Sequence, residues 1–133
     1  LLPPTPVAVA DLPDVEAHLR EVGAQGNPFA MHLFGTGTFR PISPVVFIQV
    51  ARGLADCELL EKAIRSGPLE RDLDFPYHPH VTVAQDVPDI ALDEVYEGLA
   101  DFIARFNVAA FTLFERERNG AWQVRAVLPL GMS

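Results

Sequence analysis

Proline and glycine divide this 133-residue chain into short segments, and this division limits the fold more than any other sequence feature. The chain contains 12 prolines and nine glycines. Both residues interrupt regular structure, because proline lacks an amide hydrogen and glycine loses the most backbone freedom on ordering. The sequence therefore predicts several short helices and strands. Its length is typical of a single domain, which usually has about 100–200 residues.

Three segments carry apolar residues at helical spacing. The first predicted helix covers residues 12–23, with Asp11 as its N-terminal cap and Gly23 at its end. The second covers residues 54–65. The third covers residues 89–106, where an apolar stripe continues through the whole segment. Each helix is therefore expected to pack one face against a sheet.

The remaining apolar segments predict strands. Residues 1–10 are rich in proline and are expected to be extended. Gly35-Thr36-Gly37-Thr38 predicts a turn after the first strand, and Asn119-Gly120 is a strong hairpin signal between the last two. The five predicted strands are 28–36, 44–51, 80–85, 108–116 and 121–129.

The order of these elements predicts an internal repeat. In each half, an extended segment is followed by a helix and a pair of strands, and the helix at 54–65 links the halves. Superposing the two units places Leu1 close to Val83. The residues just before Val83 are His80-Val81-Thr82, so we expect the corresponding strand of the first unit to precede Leu1.

The composition argues against several classes of protein. The chain has 18 acidic and 10 basic residues and a net charge of −8. This charge repels polyanions, so we expect no extended DNA-binding surface. No apolar run reaches the roughly 18–20 residues of a membrane span, so no membrane association is expected. Cys57 is the only cysteine, which fits a reducing compartment, and we expect a cytoplasmic protein.

His80 and Thr82 are the strongest candidates for chemistry. They lie two residues apart on a predicted strand, so their side chains share one face. Histidine, with an ordinary pKa of about 6.5, can take up or release a proton near neutral pH. A threonine hydroxyl can donate a hydrogen bond to a phosphoryl oxygen. The pair therefore predicts half of a phosphate-handling active site.

The segment around this pair resembles a known family motif. Pro76-Tyr77-His78-Pro79-His80-Val81-Thr82-Val83-Ala84 is similar to the second His-x-Thr-x motif of the 2H phosphoesterase superfamily, in its 2′-5′ RNA ligase-like branch. The resemblance implies an α+β fold of two pseudo-symmetric lobes of antiparallel sheet, with outer helices around a central cleft. We expect the first lobe at about 1–52, the linking helix at 53–67 and the second lobe at 68–133.

The same resemblance implies an activity. Members use two histidines to act on a 2′,3′-cyclic phosphate or 2′-5′ phosphodiester of a nucleotide or RNA end, without a metal or cofactor. His80 would be the general acid or base, and Thr82 would hold a phosphate oxygen. The first His-x-Thr motif is not in this chain. The alternative is therefore a non-catalytic nucleotide- or phosphate-binding regulatory module that has lost the first motif.

Four further residues are candidates for substrate contact: Tyr77, His78, Trp122 and Arg125. Tyr77 and Trp122 could stack on a base, although Trp122 is equally compatible with the core. His78 and His80 also form a His-x-His pair that could bind zinc, but a third ligand of matching spacing is not visible.

Two other polar residues favour structural roles. His32 lies in an apolar strand, where a hydrogen-bonded structural histidine is expected. Cys57 lies beside Asp56 and Glu58, which would raise its pKa and make it a poor nucleophile. The absence of a central strand would also expose strand edges, so we expect a strand-pairing partner or an oligomer.

Overall fold

The computed structural model describes residues 1–131 and shows a mixed α+β fold. It contains three α-helices, two short 3₁₀ turns and six strands. The helices are α1 (Leu12–Gln25), α2 (Leu54–Ile64) and α3 (Asp89–Gly98), and the 3₁₀ turns are Val9–Asp11 and Gly67–Leu69. The strands are β1 (Phe29–Thr38), β2 (Val45–Arg52), β3 (His80–Gln85), β4 (Ile103–Val108), β5 (Ala110–Arg116) and β6 (Trp122–Pro129).

The strands form two antiparallel sheets. Four strands pair in the order β3-β2-β1-β4, and β5 pairs with β6 in a separate hairpin. The larger sheet takes two strands from residues 1–52 and two from residues 68–133, so the sheets do not divide at the expected lobe boundaries. β3 and β4 are its edges. The pairing of another chain at such an edge stays a prediction.

Two apolar clusters hold the helices on the sheets. One lies between α1, α2 and the β5–β6 hairpin and includes Val15, Leu19, Leu60, Phe111 and Leu128. The other lies between α3 and the four-stranded sheet. Its buried members are Leu33, Ile48 and Val50, with Met31, Leu99 and Ala104 packed against them.

Helix α1 begins where the sequence predicts but continues two residues beyond Gly23. A side chain at Gly23 would place its Cβ 2.5 Å from the carbonyl oxygen of Pro129, so glycine is needed here for close packing on β6. Asp11 occupies the N-cap position as expected, but its side chain makes no capping hydrogen bond.

The third helix is shorter than expected, and its last predicted turns are a strand. α3 ends at Gly98, and residues 103–108 form β4 instead. Their backbone pairs continuously with β1, from Phe29 opposite Val108 to Phe34 opposite Ile103. This pairing satisfies backbone groups along the edge of β1 and buries Ala104 in the cluster under α3, so tertiary structure overrides the helical pattern.

The predicted turn at Gly35-Thr36-Gly37-Thr38 was also wrong, because these residues belong to β1. The register with β2 passes from Leu33 opposite Val50 to Thr36 opposite Ile48, which is a β-bulge. Gly35 has a φ of +71°, a conformation that glycine adopts without strain. The chain turns only afterwards, where the amides of Ile42 and Ser43 donate to the carbonyl of Phe39.

The predicted hairpin at Asn119-Gly120 is confirmed. Gly120 has a φ of +86°, and the Asn119 side chain accepts a hydrogen bond from the Ala121 amide at 2.9 Å. Within residues 1–131, none of the helices has the length and apolar character that crossing a membrane requires.

Candidate active site

β3 presents His80 and Thr82 on the open face of the four-stranded sheet. His80 lies opposite Gln49 and Thr82 lies opposite Phe47 on β2. Ile48 and Val50, which flank Gln49, belong to the cluster under α3. Because side chains alternate along a strand, Gln49 and its partner His80 lie on the other face, and both site residues are exposed.

Two phenylalanines fix the position of the His80 ring. The centroid of the imidazole is 5.0 Å from that of Phe39 and 5.3 Å from that of Phe47, in edge-to-face arrangements. The two phenyl rings themselves are 4.5 Å apart. Edge-to-face contacts stabilise aromatic pairs beyond the area they bury, so His80 is held against a preformed aromatic wall.

A backbone hydrogen bond assigns the roles of the two His80 nitrogens. Nδ1 lies 2.5 Å from the carbonyl oxygen of His78. A carbonyl oxygen only accepts hydrogen bonds, so Nδ1 carries the hydrogen and donates it. Nε2 is therefore the nitrogen that remains for proton exchange with a bound molecule.

Gly37 explains how the aromatic wall fits into the sheet. This glycine, on β1, lies opposite Phe47 on β2. A Cβ on Gly37 would be 2.6 Å from two atoms of the Phe47 ring, so the ring covers the bare glycine backbone. Beside it, the Gln49 amide donates to the carbonyl of Thr36 in the bulge at 2.7 Å. The sequence interpretation missed Phe39, Phe47 and Gln49, because only the strand register brings them to His80.

Of the four candidates for substrate contact, the structure places His78 beside His80. The two ring centroids are 5.8 Å apart, and the His78 ring also meets Phe39 and Phe47 edge-on at 5.6 Å and 5.3 Å. Both histidines therefore line one side of the site. Within the described part of the chain, no group of three or more histidine, cysteine or acidic residues is arranged to hold a metal ion.

Tyr77 lies against α2. Its phenol is beside Cys57, and burial raises the pKa of Tyr77 strongly, with Cys57 and Glu61 adding to the shift. Burial is also the largest cause that raises the pKa of the Cys57 thiol, and Asp56 and Glu58 contribute. The predicted direction of the Cys57 shift is thus confirmed, and both groups stay neutral near pH 7.

Trp122 and Arg125 lie on the β5–β6 hairpin, apart from the sheet that carries His80. Trp122 is 49% exposed, so it is not a core residue. The Arg125 guanidinium binds the carboxylates of Glu16 and Glu115 at 2.5 and 2.8 Å. Its charge is therefore compensated within the protein.

His32 differs from the expected hydrogen-bonded structural histidine. Its Nε2 is buried and has no hydrogen-bond partner among residues 1–131. His32 lies opposite Arg52 on β2 and opposite Arg105 on β4. Its surroundings are thus more polar than the apolar sequence of β1 indicated.

Comparison with known proteins identifies the family. The family model of the 2′-5′ RNA ligase superfamily matches residues 1–120. The chain belongs to this superfamily. This superfamily is the 2′-5′ RNA ligase-like branch of the 2H phosphoesterases, so the resemblance inferred from the segment around His80 is confirmed.

Curated relatives agree with this membership of the 2′-5′ RNA ligase superfamily. A protein named "Putative phosphoesterase" from Bacillus cereus (strain ATCC 10987 / NRS 248) is 27% identical, over 98% of this chain and 81% of its own length. A protein of the same name from Bacillus thuringiensis (strain Al Hakam) is 26% identical over the same shares.

A solved structure supports the expected fold. The crystal structure of TT0787 of Thermus thermophilus superposes with a TM-score of 0.60 and 23% sequence identity. The match covers 96% of this chain and 75% of that chain. At this identity the likeness shows the fold alone, and it confirms the α+β fold of the 2H phosphoesterase type.

Proposed function

We propose that the protein is a phosphoesterase that acts on a 2′,3′-cyclic phosphate or a 2′-5′ phosphodiester of a nucleotide or RNA end. The observation that carries the proposal is the fixed geometry of His80, with Nδ1 bonded to the backbone, Nε2 free for proton exchange and Thr82 on the same face. Membership of the 2′-5′ RNA ligase superfamily supports the choice of substrate class.

His80 serves as a general acid or base in this proposal. When a cyclic phosphate is hydrolysed, water attacks phosphorus, the bond from phosphorus to one ribose oxygen breaks, and that oxygen takes up a proton. A base must remove the proton of the attacking water and an acid must protonate the ribose oxygen. The aromatic wall holds the His80 ring in one orientation, which reduces the ordering needed to reach the transition state.

Thr82 serves as a hydrogen-bond donor to the phosphoryl group. It is exposed on the edge strand, two residues beyond His80, so its hydroxyl is accessible to the same bound group. Negative charge on the phosphoryl oxygens changes as the new bond forms. A donor fixed on a strand can stabilise that charge without reorganisation.

The two-histidine form of the mechanism requires a second imidazole on the opposite side of the phosphorus. His78 does not meet this requirement, because its ring lies 5.8 Å from that of His80 and against the same two phenylalanines. The proposal therefore places the second imidazole on a facing strand of the His-x-Thr kind. It involves no metal and no cofactor.

Turnover of 2′,3′-cyclic mononucleotides by the full-length protein tests this proposal. We expect hydrolysis by the wild type and a large loss in His80→Ala. The control is His18→Ala, which removes a histidine from α1, where it contacts the carbonyl of Ile64. Equal activity of the wild type and His80→Ala would refute the catalytic assignment.

A regulatory binding module is the second candidate. It would use the exposed His80 and Thr82 as a phosphate-binding pair without proton transfer. This candidate predicts that the full-length protein binds a 2′,3′-cyclic nucleotide without turning it over, and that His80→Ala and Thr82→Val weaken binding. Turnover that depends on His80 would exclude it.

A further inference from the structure

A second cluster of polar residues lies on the same sheet as His80. His32 on β1 is flanked by Arg52 on β2 and Arg105 on β4, as its direct cross-strand neighbours. Cross-strand neighbours have Cβ atoms about 4.5–5.5 Å apart, so both arginine side chains start next to the imidazole. These three residues border a cavity of about 310 Å³, together with Ala30, Met31, Phe106 and Asn107.

The charges of this cluster are not compensated by the described residues. Neither Arg52 nor Arg105 forms an ion pair there; of the other seven arginines, three form ion pairs with described residues and four do not. The paired arginines are Arg40, Arg65 and Arg125. The chain has a net charge of −8, yet two unpaired guanidinium groups border this one cavity. The cavity is therefore more positive than the protein as a whole. A guanidinium group binds two phosphate oxygens through bidentate hydrogen bonds, so the cavity suits a phosphate.

His32 also carries an unused hydrogen-bonding atom next to this cavity. Its Nε2 is buried and lacks a partner among residues 1–131. Buried polar atoms in native proteins are nearly always bonded, and one that is not calls for a ligand, an ion or a water molecule. His32 lines the cavity between Arg52 and Arg105, so a phosphate bound there would lie between two guanidinium groups and next to the imidazole.

His32 and His80 lie on the same face of the sheet. Leu33, next to His32, belongs to the cluster under α3, so His32 points to the opposite face, where His80 lies. β3 and β1 are two strand positions apart, and Arg52 lies three residues beyond Gln49, the partner of His80. With strands about 4.8 Å apart and a rise of about 3.3 Å per residue, the backbones of His80 and His32 are separated by about 14 Å.

We propose that His32, Arg52 and Arg105 form a second phosphate subsite, and that the preferred substrate is an oligonucleotide end rather than a cyclic mononucleotide. The subsite would hold a phosphodiester of the same strand while the terminal phosphate lies at His80. Because the two backbone positions are about 14 Å apart, a molecule that places a phosphate at each of them carries at least two phosphates. The substrate preference rests on the proposed function, whereas phosphate binding at the subsite does not.

Binding tests the subsite without requiring turnover. The probe is a ribotrinucleotide ending in a 2′,3′-cyclic phosphate, titrated into the full-length protein and compared with the cyclic mononucleotide. We expect Arg52→Gln and Arg105→Gln each to weaken trinucleotide binding by about tenfold and to leave mononucleotide binding unchanged. For the double variant, the slope of log affinity against log salt should become shallower by about 0.7, the value for one phosphate contact on a single strand.

The matched control is Arg20→Gln, which removes an exposed arginine from α1. It should keep the wild-type preference for the trinucleotide. Unchanged trinucleotide binding in Arg52→Gln and Arg105→Gln would overturn the subsite, as would an equal loss for the mononucleotide. Thermal unfolding of each variant checks that the fold is intact.

Kinetics then separate the subsite from the proposed function. We expect Arg52→Gln and Arg105→Gln to raise KM for the trinucleotide about tenfold with kcat retained. If the wild type turns over neither substrate, the proposed function fails. The loss of trinucleotide binding in the arginine variants then still shows whether the subsite binds phosphate. If turnover depends on His80 but the wild type has equal KM values for both substrates, the substrate preference fails and the proposed function stands.

Discussion

His80 and His32 lie on the same face of one sheet, yet the protein holds them in different ways. His80 is exposed, its ring meets two phenylalanines edge-on, and Nδ1 donates to a backbone carbonyl. His32 has a buried Nε2 without a partner among the described residues and lies between two arginines. The first arrangement leaves one nitrogen free to exchange a proton, and the second gathers donors around a cavity. We infer that the two residues divide proton transfer and anion binding.

Alanine substitutions should separate these roles most strongly. His80→Ala should lower kcat/KM for a 2′,3′-cyclic mononucleotide by about 10²–10⁴-fold, the usual contribution of a general acid or base. His32→Ala should leave this value nearly unchanged, because the mononucleotide does not reach the second cavity. Steady-state kinetics on the full-length proteins measure both effects. Similar losses in the two variants would remove the distinction.

The hydroxyl of Thr82 is the proposed hydrogen-bond donor to the phosphoryl group at His80. Thr82→Val keeps the shape of the side chain but removes the donor, and kcat should fall by about 10–100-fold with little change in KM. Thr82→Ser restores a hydroxyl and should recover most of the rate. If Thr82→Val retained the wild-type kcat, the hydroxyl would have no part in the transition state.

The aromatic wall is a feature that distinguishes the surroundings of His80. Gly37→Ala would bring a Cβ to 2.6 Å from the buried Phe47 ring. Overpacking of this kind costs about 1–3 kcal/mol, and we expect a loss of this size in the free energy of unfolding in urea. Gly98→Ala is the matched control, since a Cβ there meets nothing within 4 Å. Equal stabilities of the two variants would show that the ring moves aside without cost.

The contact between Tyr77 and α2 provides a comparison outside both histidine sites. Burial raises the pKa of Cys57 and Tyr77, so the folded protein holds these protons more tightly than the unfolded chain. Their contribution to stability is present below the unfolded pKa values, about 8.5 and 10, and is lost as pH rises through the folded values.

Urea unfolding at pH 7 and at pH 10 should therefore give a lower free energy of unfolding at the higher pH. Cys57→Ala and Tyr77→Phe should each reduce this difference, because each removes one of the titrating groups. A wild-type protein equally stable at the two pH values would contradict the assigned direction.

The smallest expected effect on activity is that of removing the Arg125 charge. Arg125 is neutralised by Glu16 and Glu115, whereas Arg52 and Arg105 are not paired within the described residues. Arg125→Gln should therefore change kcat/KM for the cyclic trinucleotide by less than about twofold, compared with about tenfold for Arg52→Gln. An equal loss of kcat/KM in both variants would show that Arg125 contacts the substrate despite its ion pairs in the free protein.

Local signals in the sequence predicted the parts of the fold that depend on local chemistry. The bounds of β3 and the hairpin at Asn119-Gly120 follow from alternation and turn residues, and both agree with the structure. The end of α3 was wrong, because residues 103–108 have an apolar pattern that suits a helix or a strand. Pairing with β1 decides between them, and this is a long-range contact.

In the candidate site, too, the sequence predicted only what depends on local spacing. The pattern of His80 and Thr82 on a strand was visible in the sequence, because two residues of separation suffice to place them on one face. The aromatic wall and the Arg52–His32–Arg105 cluster depend on the strand order β3-β2-β1-β4 and on two bulges in the β1–β2 pairing. Neither the order nor the bulges can be read from spacing along the chain.

Chemical rescue tests the central claim most directly. Imidazole added to the full-length His80→Ala variant can occupy the vacated space and exchange the proton that Nε2 would exchange. We predict that turnover of a 2′,3′-cyclic nucleotide by this variant rises in proportion to the imidazole concentration, and that His32→Ala shows no such increase. An absence of rescue in His80→Ala together with rescue in His32→Ala would contradict the division of roles.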